Sequence, residues 1–162
     1  MDKLSYLFKS GKISRIIITE KERYLNFFSN SYRENLSLSK FILKKYPRWS
    51  IISGYYAMHD ISKLFIADKF GIKIEFNVHE ITIEVLKELI KNPEISDMLD
   101  IGYKEFIKYL NDLAYARSQR TKVQYYTGTE FMRSKYLDFA NDFLINTVIH
   151  YISRIKEIKN VN

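Results

Sequence analysis

Apolar residues return every three to four positions along most of the chain, the spacing of amphipathic helices. Between Thr19 and Tyr46, the residues Tyr24, Phe28, Leu38 and Ile42 share one helical face, with Leu25, Phe27, Tyr32 and Phe41 beside it. Thr19 with Glu22 three positions later forms a capping-box start, and Pro47 closes the segment. A second helix is predicted from about Ser50 to Phe70, with Ile51, Tyr55, Met58, Ile61 and Phe65 as its stripe and Gly71 as C-cap. Asn77 and Glu80 start a third, which carries Ile81, Val85, Leu86, Leu89 and Ile90 and stops at Asn92-Pro93. The fourth runs from about Asp100 to Tyr126 on Tyr103, Phe106, Ile107, Leu110, Leu113 and Ala114, until Thr127-Gly128 breaks it. Thr129 caps a fifth, long helix whose stripe is Met132, Tyr136, Phe139 and Phe143, then Val148, Ile152 and Ile155.

The first 19 residues read as a short preface, a helical turn or two ending at Gly11 and then the β-branched run "IIIT". "IKIEF" (72–76) alternates like a strand, but without an evident partner other than "IIIT" it is expected to be an extended connection. The expected fold class is all-α: an antiparallel bundle of about five helices behind a short N-terminal preface, in one domain covering 1–162. Composition agrees, since only 5 Gly and 2 Pro stand against 46% apolar residues in 162. There is no cysteine, which excludes disulfides and thiolate zinc sites. No stretch approaches the ~20 apolar residues that span a bilayer, and no signal-peptide core opens the chain. The expectation is a cytoplasmic protein with no membrane association.

Charge directs attention to one segment. The 26 Lys+Arg against 19 Asp+Glu give a formal net charge of +7, which raises the prior for a polyanionic partner. Past Leu113 and Ala114, the inward stripe of the fourth helix continues as Arg117, Arg120 with Thr121, and Gln124, within "ARSQRTKVQYY" (116–126). Three arrangements accommodate arginines there. The bundle ends and the helix emerges into solvent; or Arg117 pairs with an acid such as Asp60 or Glu84; or the guanidinium groups, with Lys122, Tyr125 and Tyr126, form a pocket for phosphate.

The segments "SGYYAMHDISKLFIADKFGIKI" and "VHEITIEVL" resemble the HEPN domain family, the higher eukaryotes and prokaryotes nucleotide-binding domains. Tyr55, Tyr56, Ala57, Gly71 and His79 match that family's helix core, Gly turn and helix-opening His. "LFKSGKISRIIITEKE" is similar to the preface of archaeal members, and "ARSQRTKVQYY" falls where the family keeps its functional motif. The resemblance spans nearly the whole chain. It implies a homodimer with the fourth-helix motifs facing across a cleft, and nucleotide or RNA as ligand. It also implies a setting beside a nucleotidyltransferase-type partner protein or in a toxin–antitoxin or defence system. Catalytic members are metal-independent ribonucleases with an Arg and a His four to six residues apart, the His holding a proton near neutral pH and the Arg steadying phosphate charge. This chain departs there. Neither Arg117 nor Arg120 is followed at that distance by a histidine, and Tyr125 stands five residues after Arg120. Tyrosine, with an ordinary pKa of ~10, is a poor base at neutral pH.

Only His59, His79 and His150 remain, none with a second histidine at helical spacing, so no metal site is expected. His79 sits in the first turn of a helix and either serves structure or lines the cleft. His59 is the one route to a replacement base, should it approach the fourth-helix motif; His150 is expected at the surface. No Gly-rich phosphate loop, nucleophile elbow or paired carboxylate is present, and no cofactor is expected. The first expectation is therefore a non-catalytic or weakly catalytic module binding nucleotide or RNA through Arg117, Arg120, Lys122, Gln124, Tyr125 and Tyr126, with His59 and His79 nearby. The alternatives are a metal-independent ribonuclease toxin, and a helical homodimeric interaction protein with a basic patch.

Overall fold

A computed structural model describes residues 2–119 and 130–160, and for 109–133 it describes at most the backbone. The chain forms an all-α helical bundle with one small two-stranded sheet. Helix α1 covers Lys3–Lys9, α2 Ile18–Ile42, α3 Pro47–Phe70, α4 Val78–Ile90 and α5 Pro93–Gln119. Helix α6 (Glu130–Asp142) passes into a π-helical segment (Phe143–Ile149) and then α7 (His150–Asn160), which together make one rod.

Helix α3 is the axis of the core. Its stripe Ile51, Tyr55, Met58, Ile61 and Phe65 is buried as predicted, but so are Ser50, Ser53, Ala57, His59, Asp60, Ser62 and Ile66. A helix buried on nearly all sides needs neighbours all round. Helix α2 packs along it in the opposite direction: Ser39 meets Ser50, Asn35 meets Asp60, and the Phe28 ring lies 4.3 Å from the Lys63 ammonium. Ser39 and Ser50 each donate to the other's carbonyl at 2.8 Å. Helix α5 also opposes α3, bringing Phe106 onto Tyr55 and Gly102 onto Met58. The last rod runs with α3, so that Val148 meets Gly54, Tyr151 meets Ser62, and Lys159 meets Asp68. Alternating direction in α2, α3, α5 and the last rod is the antiparallel bundle expected, with α4 as a shorter fifth member.

Several boundaries differ from the sequence reading. Helix α2 begins at Ile18 and is capped at Ile17 with no side-chain bond, so Thr19 lies inside it. Only a narrow face of α2 is buried, on Phe28, Tyr32 and Ser39, while Phe27 and Phe41 face outward. Pro47 opens α3 as its first residue, where a missing N–H costs nothing. Gly71 does cap α3, at φ 63°, in the left-handed region glycine tolerates. Asn77 precedes α4 at φ 46° but makes no side-chain cap bond. Pro93 likewise starts α5 seven residues earlier than expected.

"IKIEF" is not a bare connection. Ile72–Ile74 (β2) pairs antiparallel with Ile13–Arg15 (β1), in the register Ile13 to Ile74 and Arg15 to Ile72. Its partner is thus the segment just before "IIIT". Ile13, Ile72 and Ile74 are buried. Two strands alone are marginal in water, and here packing on α3 supports them. Glu75 accepts from the Ser14 hydroxyl at 2.6 Å, and the Arg15 guanidinium donates to the Phe70 carbonyl at 2.8 Å. In the last rod the core stripe steps five residues, from Phe143 to Val148. An i→i+5 segment returns its fifth residue towards the same side, so both residues stay buried. No helix among the described residues is long and apolar enough to cross a membrane.

Candidate functional site

The polar groups of the core converge where α3 meets the start of α4. His59 and His79, twenty residues apart in sequence, lie with ring centroids 4.6 Å apart and planes tilted by 39°. The Tyr55 hydroxyl lies 2.7 Å from His79 Nδ1. Burial pushes the Tyr55 hydroxyl further above its ordinary range, so it keeps its proton, and among the described residues His79 Nδ1 is the acceptor within reach of that hydrogen. That bond leaves the His79 hydrogen on Nε2. Tyr103 of α5 stacks on the His79 ring, at 5.6 Å and 11°. Phe106 closes the cluster, 4.8 Å from Tyr55 and edge-on to Tyr56.

Burial, then the charge of His59 and of Lys63, lower the His79 pKa to about 4, against a weaker opposing pull from Asp60. His79 is therefore a neutral imidazole at physiological pH. His59 is only 4% exposed, and each of its nitrogens faces an acceptor. Nε2 lies 3.3 Å from the Val78 carbonyl, and Nδ1 lies 3.6 Å from a carboxylate oxygen of Asp60. Thr82 donates to the same Val78 carbonyl, fixing the first turn of α4 against α3. The second oxygen of Asp60 accepts from Ser31 at 2.6 Å and from Asn35 at 3.0 Å. A polar chain thus crosses the bundle from α2 through α3 to α4. Lys63, on the next turn of α3, lies over the Phe28 ring, and burial lowers its pKa.

The predicted site residues divide into two groups. His59 and His79 come together, which spacing along one helix gave no reason to expect. Arg117 lies on α5, with only its backbone described. Arg120, Lys122, Gln124, Tyr125 and Tyr126 lie outside the described residues. Arg117 stands eleven residues past Phe106, about 16 Å further along the axis at ~1.5 Å per residue. His59 packs beside Tyr55, at the Phe106 end of that interval. His150 is at the surface, as expected, 3.4 Å from Glu94. The acids considered as partners for Arg117 have other contacts: Asp60 with Ser31, Asn35 and His59, and Glu84 with Lys3 at 3.6 Å.

Sequence reasoning missed Asp60, Ser31, Asn35 and Thr82 as a network. The available signal was "HD" at 59–60 inside a helix whose apolar stripes leave little surface, which obliges such side chains to find partners. Among the described residues no three His, Cys, Asp or Glu side chains are grouped to hold a metal. No protein-family model matches the chain, and neither does a curated protein or a solved structure.

Proposed function

We propose that the protein is a HEPN-like binding module which holds RNA or a nucleotide without cleaving it, as a homodimer. The observation that carries this reading is the engagement of all three histidines. His59 is buried between two acceptors, His79 spends its Nδ1 lone pair on Tyr55, and His150 faces Glu94. A general base for the RNA 2′-hydroxyl needs a free lone pair within reach of the phosphate-binding group. None of the three offers one near Arg117. Binding asks less: cations for phosphate and aromatic faces for bases. The net charge of +7 and the Arg117–Tyr126 segment supply those residue types.

The test is fluorescence anisotropy with a labelled single-stranded RNA, alongside incubation of the same RNA with excess protein. Binding should weaken with salt at a logarithmic slope of about −0.7 per phosphate contacted. The double substitution Arg117→Ala and Arg120→Ala should reduce both affinity and slope, and the RNA should remain intact. Cleavage abolished by that substitution would replace this reading with the ribonuclease one. Absence of RNA and nucleotide binding, with a stable dimer in sedimentation, would leave a helical interaction protein.

A further inference from the structure

A cleft of about 270 Å³ opens where α2, α3 and α7 meet. Its floor is apolar, with Ile61, Phe65 and Ile155 each 3% exposed or less. Its rim is cationic. The Arg33 guanidinium and the Lys156 ammonium each lie 5.7 Å from the centre of the Tyr32 ring, and Arg33 Nε donates to the Tyr32 hydroxyl at 3.3 Å. Tyr32 itself is buried, and among the described residues its hydroxyl hydrogen has no acceptor. Among the described residues neither Arg33 nor Lys156 has a carboxylate partner, whereas the third cation, Lys159, is held by Asp68 at 3.0 Å. Two uncompensated cations and a phenol thus border an apolar hollow.

We propose that this cleft binds a small organic anion, one carboxylate or phosphate head on an apolar body. The head would sit between Arg33, Lys156 and the Tyr32 hydroxyl, and the body would cover the isoleucines and Phe65. Size limits the ligand. The volume lies just under the ~300 Å³ at which ligand pockets usually begin. A single ring system or a short acyl chain fits, and a dinucleotide does not. No residue of α5 lines the cleft, so this site and the Arg117 segment stand or fall separately.

Ligand-observed NMR titration with indole-3-carboxylate and phenyl phosphate tests the idea, with indole-3-carboxamide and inorganic phosphate as controls. At least one of the two organic anions should bind about tenfold more tightly than both controls, and which one does identifies the head. In a separate protein-observed methyl spectrum, the signals of Ile61 and Ile155 should shift on binding. The double substitution Arg33→Gln and Lys156→Gln should bring that anion down to the carboxamide's affinity with an unchanged circular-dichroism spectrum. Equal binding of the carboxamide, equal binding of inorganic phosphate, indifference to the substitutions, or no binding at millimolar concentration would each overturn the proposal.

Discussion

Acidification from pH 6.5 towards 4 asks the folded protein to protonate His79 in a place built against it. The ring is held by burial and by neighbouring positive charge at a pKa of about 4, against 6.5 for an unconstrained histidine. Between those values the unfolded chain carries a proton that the folded chain refuses. The unfolded state then binds more protons, so stability rises with pH through this window and is lost as pH falls. Below about pH 4 both states are protonated and the loss is complete. At ~1.4 kcal/mol per pKa unit the full shift is worth about 3 kcal/mol. The ring keeps some contact with water, which reduces the expected loss to about half that.

Urea denaturation followed by circular dichroism across this range measures the loss. The His79→Asn variant supplies the reference, because its amide oxygen still accepts from Tyr55 and does not titrate. Every carboxylate is common to both proteins, so the difference in their pH slopes reports the coupled titration of His79 with its neighbour His59. Heteronuclear NMR of the ring nitrogens should show the Nε2-protonated tautomer at neutral pH. A His79 that titrates near 6.5, or parallel pH profiles for the two proteins, would refute the reasoning.

Other substitutions probe the same core. Asp60→Leu leaves the Ser31 hydroxyl and the Asn35 amide without their buried acceptor, and should cost about 2–4 kcal/mol in urea denaturation. Gly54→Ala would bring a methyl to 3.0 Å from Val148 and 3.2 Å from the Ser39 hydroxyl, which is fixed in its bond to Ser50. The helix-propensity gain of about 1 kcal/mol is outweighed by overpacking of about 1–3 kcal/mol, so the thermal transition should fall. Deleting the exposed Asn146 takes one residue out of the π-helical segment and shortens the Phe143-to-Val148 step to an α-helical one. That variant should fold with its helical circular-dichroism signal intact and lose no more than about 2 kcal/mol.

How much of this was legible in the sequence depends on whether a feature is local. The stripe of α3, its Gly71 cap and the α4 positions Ile81, Val85 and Leu86 follow from a repeat within one helix, and each is where the pattern puts it, whereas Leu89 and Ile90 are only partly buried. The helix starts at Pro47 and Pro93 were misread because proline bars a helix only from the inside. As a first residue it begins one. Pairing of Ile13–Arg15 with Ile72–Ile74 depends on α2 and α3 returning the chain to its origin, and no alternation inside either segment encodes that return. The five-residue step at Phe143 was visible in the stripe itself, as a break in period that a π turn explains.

The candidate site shows the same division more sharply. Its members come from α2, α3, α4 and α5, and no two of His59, His79, Tyr103 and Asn35 fall within one helical turn of each other. What the sequence did contain was a constraint. A helix with Ile51, Met58, Ile61, Phe65 and Ile66 buried around its girth leaves no watered face for His59 and Asp60. Buried polar groups must be satisfied by whatever packs against them, so the neighbours had to present a hydroxyl, an amide or a carbonyl at that level. Ser31, Asn35, Thr82 and the Val78 carbonyl do so. The same satisfaction ties the histidines to the fold. His59 Nε2 lies against the Val78 carbonyl and so fastens α3 to the first turn of α4, and the burial that stabilises this crossing is what lowers the His79 pKa.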